Sequence, residues 1–392
     1  MITTDEKVID ELLTRGVEEV IPKDELKREL LSGRQLRVKL GIDPTSPHIH
    51  IGRAVQLLKL RDFQKLGHQI VLIIGDTTGV IGDTSDKTSE RPMLEEEQVK
   101  RNAQSYFDQV GRVLDMEHVE THYNSEWLNK LTYGEIGEQA DCFSVADFIA
   151  RENIRRRLDE GTRVSLREVI YPLMQGYDSV AIKADVELGG TDQRFNLLAG
   201  RTLQERYGQK PQSIMMTTLM EGLDGRKMSS SWGNTVNLTD APNDMFGKVM
   251  SLHDALVERY FVTSTRVPLS EIEGIMELHP RDAKMRLASE IVKLYHSEGD
   301  AQRAQEHFIA TFSEGNVPAD VKTVTAARGA SLADVLLEAE IVASKTEFRR
   351  LAEDGAITDA ESGERLTNPA ALLEGPVTLK VGKRRFLKVE IS

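Results

Sequence analysis

The chain has 392 residues, 40% of them hydrophobic and 29% charged, an ordinary balance for a folded protein with core enough for two or three domains. Cys142 is the single cysteine, which excludes an internal disulfide and a cysteine-cluster zinc site. With a formal net charge of −13, any nucleic-acid partner must meet local basic patches; nothing resembles a signal peptide or a membrane span, so the expected setting is the cytoplasm.

Residues 6 to 31 alternate charged and apolar groups at helical spacing (Val8, Leu12, Leu13, Leu26, Leu30) and are expected to form helices packed on a core. An apolar strand, Leu36 to Ile42, then runs into a turn broken by Pro44 and Pro47. A helix follows from near Ile51 to near Gly67, with Ile51, Val55, Leu58 and Phe63 on its apolar face and Arg61, Asp62 and Lys65 toward water. A continuous apolar run, Ile70 to Ile74, comes next. Short uninterrupted apolar runs joined by a helix indicate a parallel sheet covered on both faces. In such folds ligands sit at the C-terminal ends of the strands, where helix N-termini point donors at anions. A lone histidine in a turn is usually a solvated loop residue. Here His48, His50 and Arg53 crowd around Gly52, which makes the junction a candidate nucleotide site. Neither G-x-x-x-x-G-K-[ST] nor G-x-G-x-x-G is present, so phosphate would be bound by a different device.

The polar run Thr84 to Arg91 reads as a surface loop and, functionally, as a lid whose Lys87 and Arg91 meet a polyphosphate. A helix through Val99, Phe107 and Val113 and a mixed region to about Phe143 follow. Helical patterns resume over Val145 to Leu158 and Leu166 to Val180. In the second, Tyr171, Gln175 and Asp178 stand at i, i+4 and i+7, a polar stripe that is either a solvated face or a lined pocket. Asp185 to Leu188 reads as a short strand, and Gly189-Gly190-Thr191-Asp192-Gln193 suits a helix start that lets a ligand approach the backbone. From about Thr239, with Pro242 as a helix starter, the pattern is helical to about Phe312. Ser313 to Ala330 is the best linker candidate. The last segment carries helices at Leu332 to Leu337 and Lys345 to Ala352, then strands at Gly355 to Ile357 and Leu379 to Ile391. Two basic clusters, Arg151, Arg155, Arg156, Arg157 and Arg163, and Lys380, Lys383, Arg384, Arg385 and Lys388, are either solvated faces or nucleic-acid contacts.

Two motifs give these candidates a common chemistry. His50-Ile51-Gly52-Arg53 resembles the H-x-G-H element of class I aminoacyl-tRNA synthetases, with Arg53 in place of the second histidine. Gly225-Arg226-Lys227-Met228-Ser229-Ser230-Ser231-Trp232-Gly233-Asn234 resembles their K-M-S-K-S loop, with Ser230 in place of the second lysine. The stripe within Tyr171 to Asp178, together with Gly189 to Gln193, is similar to the tyrosine-binding elements of tyrosyl-tRNA synthetases. Residues 331–392, closing on Val381-Gly382-Lys383-Arg384-Arg385-Phe386, resemble a small RNA-binding module shared with a ribosomal small-subunit protein. The likeness spans nearly the whole chain, which is identified as a member of the bacterial-type tyrosyl-tRNA synthetases.

The resemblance implies an α/β fold: a Rossmann-like parallel-sheet catalytic domain (1–238) with an inserted connective region (about 93–165), a helical anticodon-recognition domain and linker (239–325), and a small α+β RNA-binding module (331–392). It implies a tyrosine–tRNA ligase that uses ATP as a substrate, with Mg²⁺ accompanying the ATP and no dedicated protein metal site. The implied partners are L-tyrosine, tRNA(Tyr) and a second copy of the chain as a homodimer, with no membrane. The implied catalytic residues are His50, Arg53, Lys87, Arg91 and Lys227. Thr45, Gly52, Gly190, Asp192, Met228 and Ser229 would bind ATP. Asp43, Asp83, Tyr171, Gln175, Asp178 and Gln193 would bind tyrosine, Asp178 accepting the phenol O–H and Tyr171, Gln175 and Asp83 holding the ammonium. The family often places a second tyrosine against the phenol where this chain has Lys39, which leaves that contact unassigned: Lys39 is at the pocket wall or turned away. A tryptophan-specific member is disfavoured because an indole has no use for Asp178. An RNA-binding relative without catalysis would explain Arg53 and Ser230, but not the retention of Asp43, His50, Asp83, Asp178, Asp192 and Lys227.

Overall fold

In the computed structural model, residues 2–83, 93–312, 321–360, 364–382 and 385–391 are described. The expected lid with Lys87 and Arg91, and Lys383 and Arg384 near the end, lie outside the described residues. Contacts divide the chain into two units, Met1–Ala301 and Gln302–Ser392.

The first unit is built on β1 (Val17–Ile21), β2 (Arg37–Ile42), β3 (Gln69–Ile74), β4 (Val119–Tyr123), β5 (Val186–Gly190) and β6 (Ser213–Thr217), in the order β1-β6-β5-β2-β3-β4. All neighbours are parallel except β1, which runs antiparallel to β6. The central strands are buried on both faces, which is why they read as unbroken apolar runs. From β2 the chain steps outward to β3 and β4, then returns to the other side of β2 to lay down β5 and β6. That reversal creates a switch point between β2 and β5. The two strands pair over only two rows, Val38 with Val186 and Lys39 with Glu187, before they part.

The stretch 6–31 is not wholly helical. β1 lies between the helices Glu6–Thr14 and Lys23–Leu31. Its Glu18 and Glu19 are tolerated because β1 is the edge strand, and they hide the strand pattern in the sequence. The Ile51–Lys65 helix also departs from expectation, since it is covered by the helix Val257–Ser264 as well as by the sheet. Asp62 therefore does not face water freely: Arg266 forks it at 2.8 and 2.7 Å. The buried Lys59 donates to the Leu12 and Arg15 carbonyls, which end the Glu6–Thr14 helix without partners of its own.

The helix Leu166–Ile182 carries the polar stripe and contains Pro172. A proline there has no N–H to offer the Glu168 carbonyl one turn back. Arg151 supplies the missing donor, bonding the Glu168 and Val169 carbonyls at 3.3 and 3.2 Å while it stacks over Phe148 and Phe195. Arg157 is fully buried against the Glu168 carboxylate. Two of the five arginines in the mid-chain basic cluster are thus spent on internal structure, leaving Arg155, Arg156 and Arg163 exposed.

The second unit holds a sheet in the order β7-β10-β9-β8: β7 (Thr323–Ala326), β8 (Ile357–Asp359), β9 (Val377–Val381) and β10 (Arg385–Ile391). Its core includes Leu332, Leu336, Phe348, Leu379, Leu387 and Val389. β7 falls inside the stretch read as a linker; four residues with one partly buried valine leave no period to detect, and its parallel pairing with β10 is what makes it a strand. Among the described residues no helix is long and apolar enough to cross a membrane.

Candidate active site

A cleft of about 850 Å³ opens where β2 and β5 separate, walled by the C-terminal ends of β2, β3 and β5, the start of the Ile51–Lys65 helix and the loop around Lys227. Its two signature segments are joined through the backbone. Ile51 N–H donates to the Val236 carbonyl at 2.8 Å, and Leu238 N–H to the Ile49 carbonyl at 2.9 Å, with His50 and Asn237 forming a bridge between them. This pairing, across almost two hundred residues, puts His50, Gly52, Arg53, Lys227, Met228 and Ser229 on one cleft.

At this cationic end His50 caps the helix: its Nδ1 accepts from Arg53 N–H at 3.3 Å. An accepting Nδ1 leaves the ring proton on Nε2. Burial, then Arg53 and Lys227, lower the imidazole to about 3, so the ring is neutral and Nε2–H is its free donor. Gly52 sits in close packing, since a Cβ would stand 3.1 Å from His50 Nδ1 and 3.3 Å from Met228 Sδ, so either side chain would have to give. Arg53 donates from Nη1 to the Tyr106 hydroxyl at 3.1 Å, and that tyrosine is itself buried. Lys227 meets Asp192 at 3.1 Å. Asn234 organises the loop: its Oδ1 accepts from Ser229 N–H at 2.9 Å while its Nδ2 donates to the Lys227 carbonyl at 3.1 Å and to Asp224 at 2.7 Å. Thr45 lines the same end.

At the other end Tyr171, Gln175 and Asp178 all line the cleft, so the stripe is a pocket wall. Asp178 is 3% exposed. Its carboxylate accepts from Trp127 Nε1 at 2.8 Å and from Asn124 Nδ2 at 3.4 Å. Burial raises it to about 7, against the opposing pull of Lys39 and of these two donors. Tyr171 donates its hydroxyl to Asp43 at 2.8 Å; burial and then the Asp43 and Asp83 charges hold its phenol well above the usual range. Gln193 donates to Asp83 at 2.7 Å, and Asn196 donates to the side-chain oxygens of both Gln175 and Gln193 at 3.0 Å.

The six residues expected at the tyrosine end therefore share one wall. Gly190 does not reach the wall; Gly189 does, and Gly190 leaves room for Asp192, whose Oδ1 would lie 2.5 Å from an added Cβ. Lys39 is wholly buried and does not line the cleft, its ammonium bonded to the Gln175 carbonyl behind the wall. Trp127, Asn124, Tyr106, Asn196 and Asn234 were not singled out in the sequence; only Asn234, inside the second motif, carried any local signal. Among the described residues no group of three or more histidine, cysteine or acidic side chains is placed to hold a metal ion.

Residues 31–313 match the family described as tRNA synthetases class I (W and Y). The chain is 45% identical to the tyrosine–tRNA ligase of Moorella thermoacetica over 96% of its own length and 94% of that protein. To the tyrosine–tRNA ligase of Thermotoga maritima it is 42% identical, over 99% and 98%. Among solved structures, a C-terminally truncated mitochondrial tyrosyl-tRNA synthetase of Coccidioides posadasii superposes with a TM-score of 0.63 at 24% identity, covering 76% of this chain and 91% of that one. The Archaeoglobus fulgidus tyrosyl-tRNA synthetase complexed with L-tyrosine gives a TM-score of 0.60 at 23% identity, covering 76% and 99%. At those identities the structures establish the shared fold, while the two full-length relatives carry the assignment. By both routes, the chain belongs to the tyrosyl-tRNA synthetases of class I.

Proposed function

We propose that the two ends of the cleft divide the work of a tyrosine–tRNA ligase between them. The reaction joins L-tyrosine to ATP as tyrosyl-adenylate with release of pyrophosphate, then passes the tyrosyl group to the 3′ end of its tRNA. The substrate carboxylate is already a nucleophile, so attack on the α-phosphorus requires no general base. Alignment and charge placement carry the rate. Asp178 accepts the phenol hydroxyl, while Tyr171, Gln175 and Asp83 hold the ammonium. Gly52 and Asp192 take the nucleoside, with Met228 and Ser229 closing on it; Asp43 and Gln193 brace the tyrosine end. Thr45 and the Nε2–H of His50 meet the outer phosphates, Arg53 the α-phosphate, and Lys227 the charge that builds on the leaving pyrophosphate. The lid cations Lys87 and Arg91 would join them. The phosphate end is rich in nitrogen donors rather than carboxylates, so magnesium would enter on the nucleotide's own phosphates as part of the substrate.

The observation that carries this reading is a single cleft with a buried carboxylate floor at one end and His50, Arg53 and Lys227 at the other. Rejection of phenylalanine for want of the hydroxyl is an established property of this enzyme family; the proposal for this chain is that Asp178 reads it. The helices between Pro242 and Tyr295 and the second unit, with Lys380 and Lys388 on β9 and β10, are the proposed tRNA contacts. Exposed Tyr133, Val145 and Leu166, 95%, 75% and 73% accessible, support a homodimer through the insertion and the start of the Leu166–Ile182 helix. Pyrophosphate exchange into ATP, measured with each amino acid in turn, tests the proposal. Tyrosine should support it alone; equal exchange with tryptophan would overturn the assignment of the slot.

A further inference from the structure

Lys39 is a charged side chain at the sheet's centre that the mechanism leaves unused. It is 0% exposed and faces Glu187, itself 1% exposed, across the β2–β5 pair. Theirs is the last row before the strands separate around the cleft. An ammonium has three N–H donors, and each has an acceptor here: Glu187 Oε1 at 2.9 Å, the Gln175 carbonyl at 3.0 Å and Ser179 Oγ at 2.8 Å. Glu187 is equally engaged. Ser179 Oγ donates to it at 3.0 Å, Gln175 Nε2 at 3.2 Å, and Gln212 Nε2 completes the set. The backbone makes room for this cluster, since a Cβ on Gly200 would stand 2.7 Å from Gln212 Nε2 and 3.4 Å from Glu187 Oε2. A buried pair so completely bonded specifies one geometry.

Two pocket groups depend on it. Glu187 fixes the amide of Gln175, whose oxygen continues through Asn196 to Gln193 and Asp83. Gln175 and Ser179 flank Asp178 in sequence on the same helix and are both tied to the Lys39 ammonium. We infer that Lys39 is a positioning residue for tyrosine specificity: from behind the pocket wall it orients Gln175 through Glu187 and supplies a positive charge coupled to the Asp178 carboxylate. The inference rests on the reading of Asp178 as the acceptor of the phenol. The charge is needed because, among the described residues, the cations that line the cleft, Arg53 and Lys227, stand at the opposite end from Asp178. Its charged and titratable neighbours are Lys39 on β2, which favours ionisation, and Glu187 on β5 and Tyr171 on its own helix, coupled to it in the opposite sense. Trp127 and Asn124 offer only neutral donors. Glu187 is the weaker influence, so removing the whole pair still leaves Asp178 harder to ionise.

The test uses the full-length enzyme in pyrophosphate exchange between about pH 5.5 and 9.5, where an essential group's titration appears in kcat/KM. Lys39→Met strands the Glu187 carboxylate and risks the fold, so Lys39→Met/Glu187→Gln is made beside it and both are melted to confirm folding. In the double variant KM for tyrosine should rise about tenfold while KM for ATP stays within about twofold, and the acid limb of kcat/KM for tyrosine should move to higher pH by about one unit, a tenfold change in the ionised fraction. An unmoved acid limb with unchanged KM for tyrosine, or equal rises in KM for both substrates, would reduce Lys39 to a packing residue and overturn the inference. Wild-type enzyme showing no tyrosine-dependent exchange would instead bring down the reading of the pocket beneath it.

Discussion

Two buried titratable groups in the cleft are pushed in opposite directions, and each shift has a kinetic consequence. His50 lies far below its ordinary range, at about 3, so it stays a neutral donor across the working pH range. Asp178 is raised to about 7, so the ionised form proposed to accept the phenol is complete only above neutrality. The pH profile of kcat/KM for tyrosine should therefore carry one acid inflection, near 7, and none from His50; an inflection that survives Asp178→Asn would contradict this. The same shift has a stability sign. A carboxylate raised on folding stabilises the protein below its ordinary pKa, and that contribution is lost as pH rises through about 7. Asp178→Asn should thus melt higher than wild type at about pH 8 and lose most of that advantage near pH 5, a trade of stability for recognition. Arg53 is aimed by Tyr106. Arg53→Ala should slow adenylate formation about 10²–10³-fold in single-turnover assays, and an unchanged rate would remove it from the mechanism.

At the scale of elements, the loop after β6 matters through its fastening as much as through its lysine. Asn234 bonds both Ser229 N–H and the Lys227 carbonyl, so Asn234→Ala should lower kcat about tenfold with KM for tyrosine unchanged. Lys227→Ala should cost more than tenfold in the activation rate, as the loop has serine at Ser230 where a second cation would stand. This scale also shows what was readable beforehand. β2, the Ile51–Lys65 helix and β3 were clear because strands buried on both faces leave continuous apolar runs. β1 was hidden by Glu18 and Glu19 on an edge, and β7 by its four-residue length. Arg151 and Arg157 passed for surface charge because nothing local announces that a proline's orphan carbonyl or a buried Glu168 will claim them.

Across the molecule, the candidate site was legible wherever its residues sit inside a motif, as with His50, Lys227 and the Tyr171–Gln175–Asp178 stripe. It was illegible where a residue acts through a pairing distant in sequence: Trp127 on Asp178, Tyr106 on Arg53, Glu187 on Lys39. The proposed homodimer belongs to this scale too. Leu166→Asp, placed on a 73% exposed leucine, should yield monomers by sedimentation and impair tRNA charging; an unaltered assembly would exclude that surface. The claim on which all of this rests is that a buried carboxylate reads the substrate hydroxyl, and the ratio of kcat/KM for tyrosine to that for phenylalanine in wild type and in Asp178→Asn tests it most directly. A hydrogen bond to a charged group contributes about 1.5–3 kcal/mol, so the variant should lose at least about tenfold, and up to about a hundredfold or more, with tyrosine while phenylalanine changes little, and the ratio should collapse accordingly; a ratio the same in both enzymes would contradict the account.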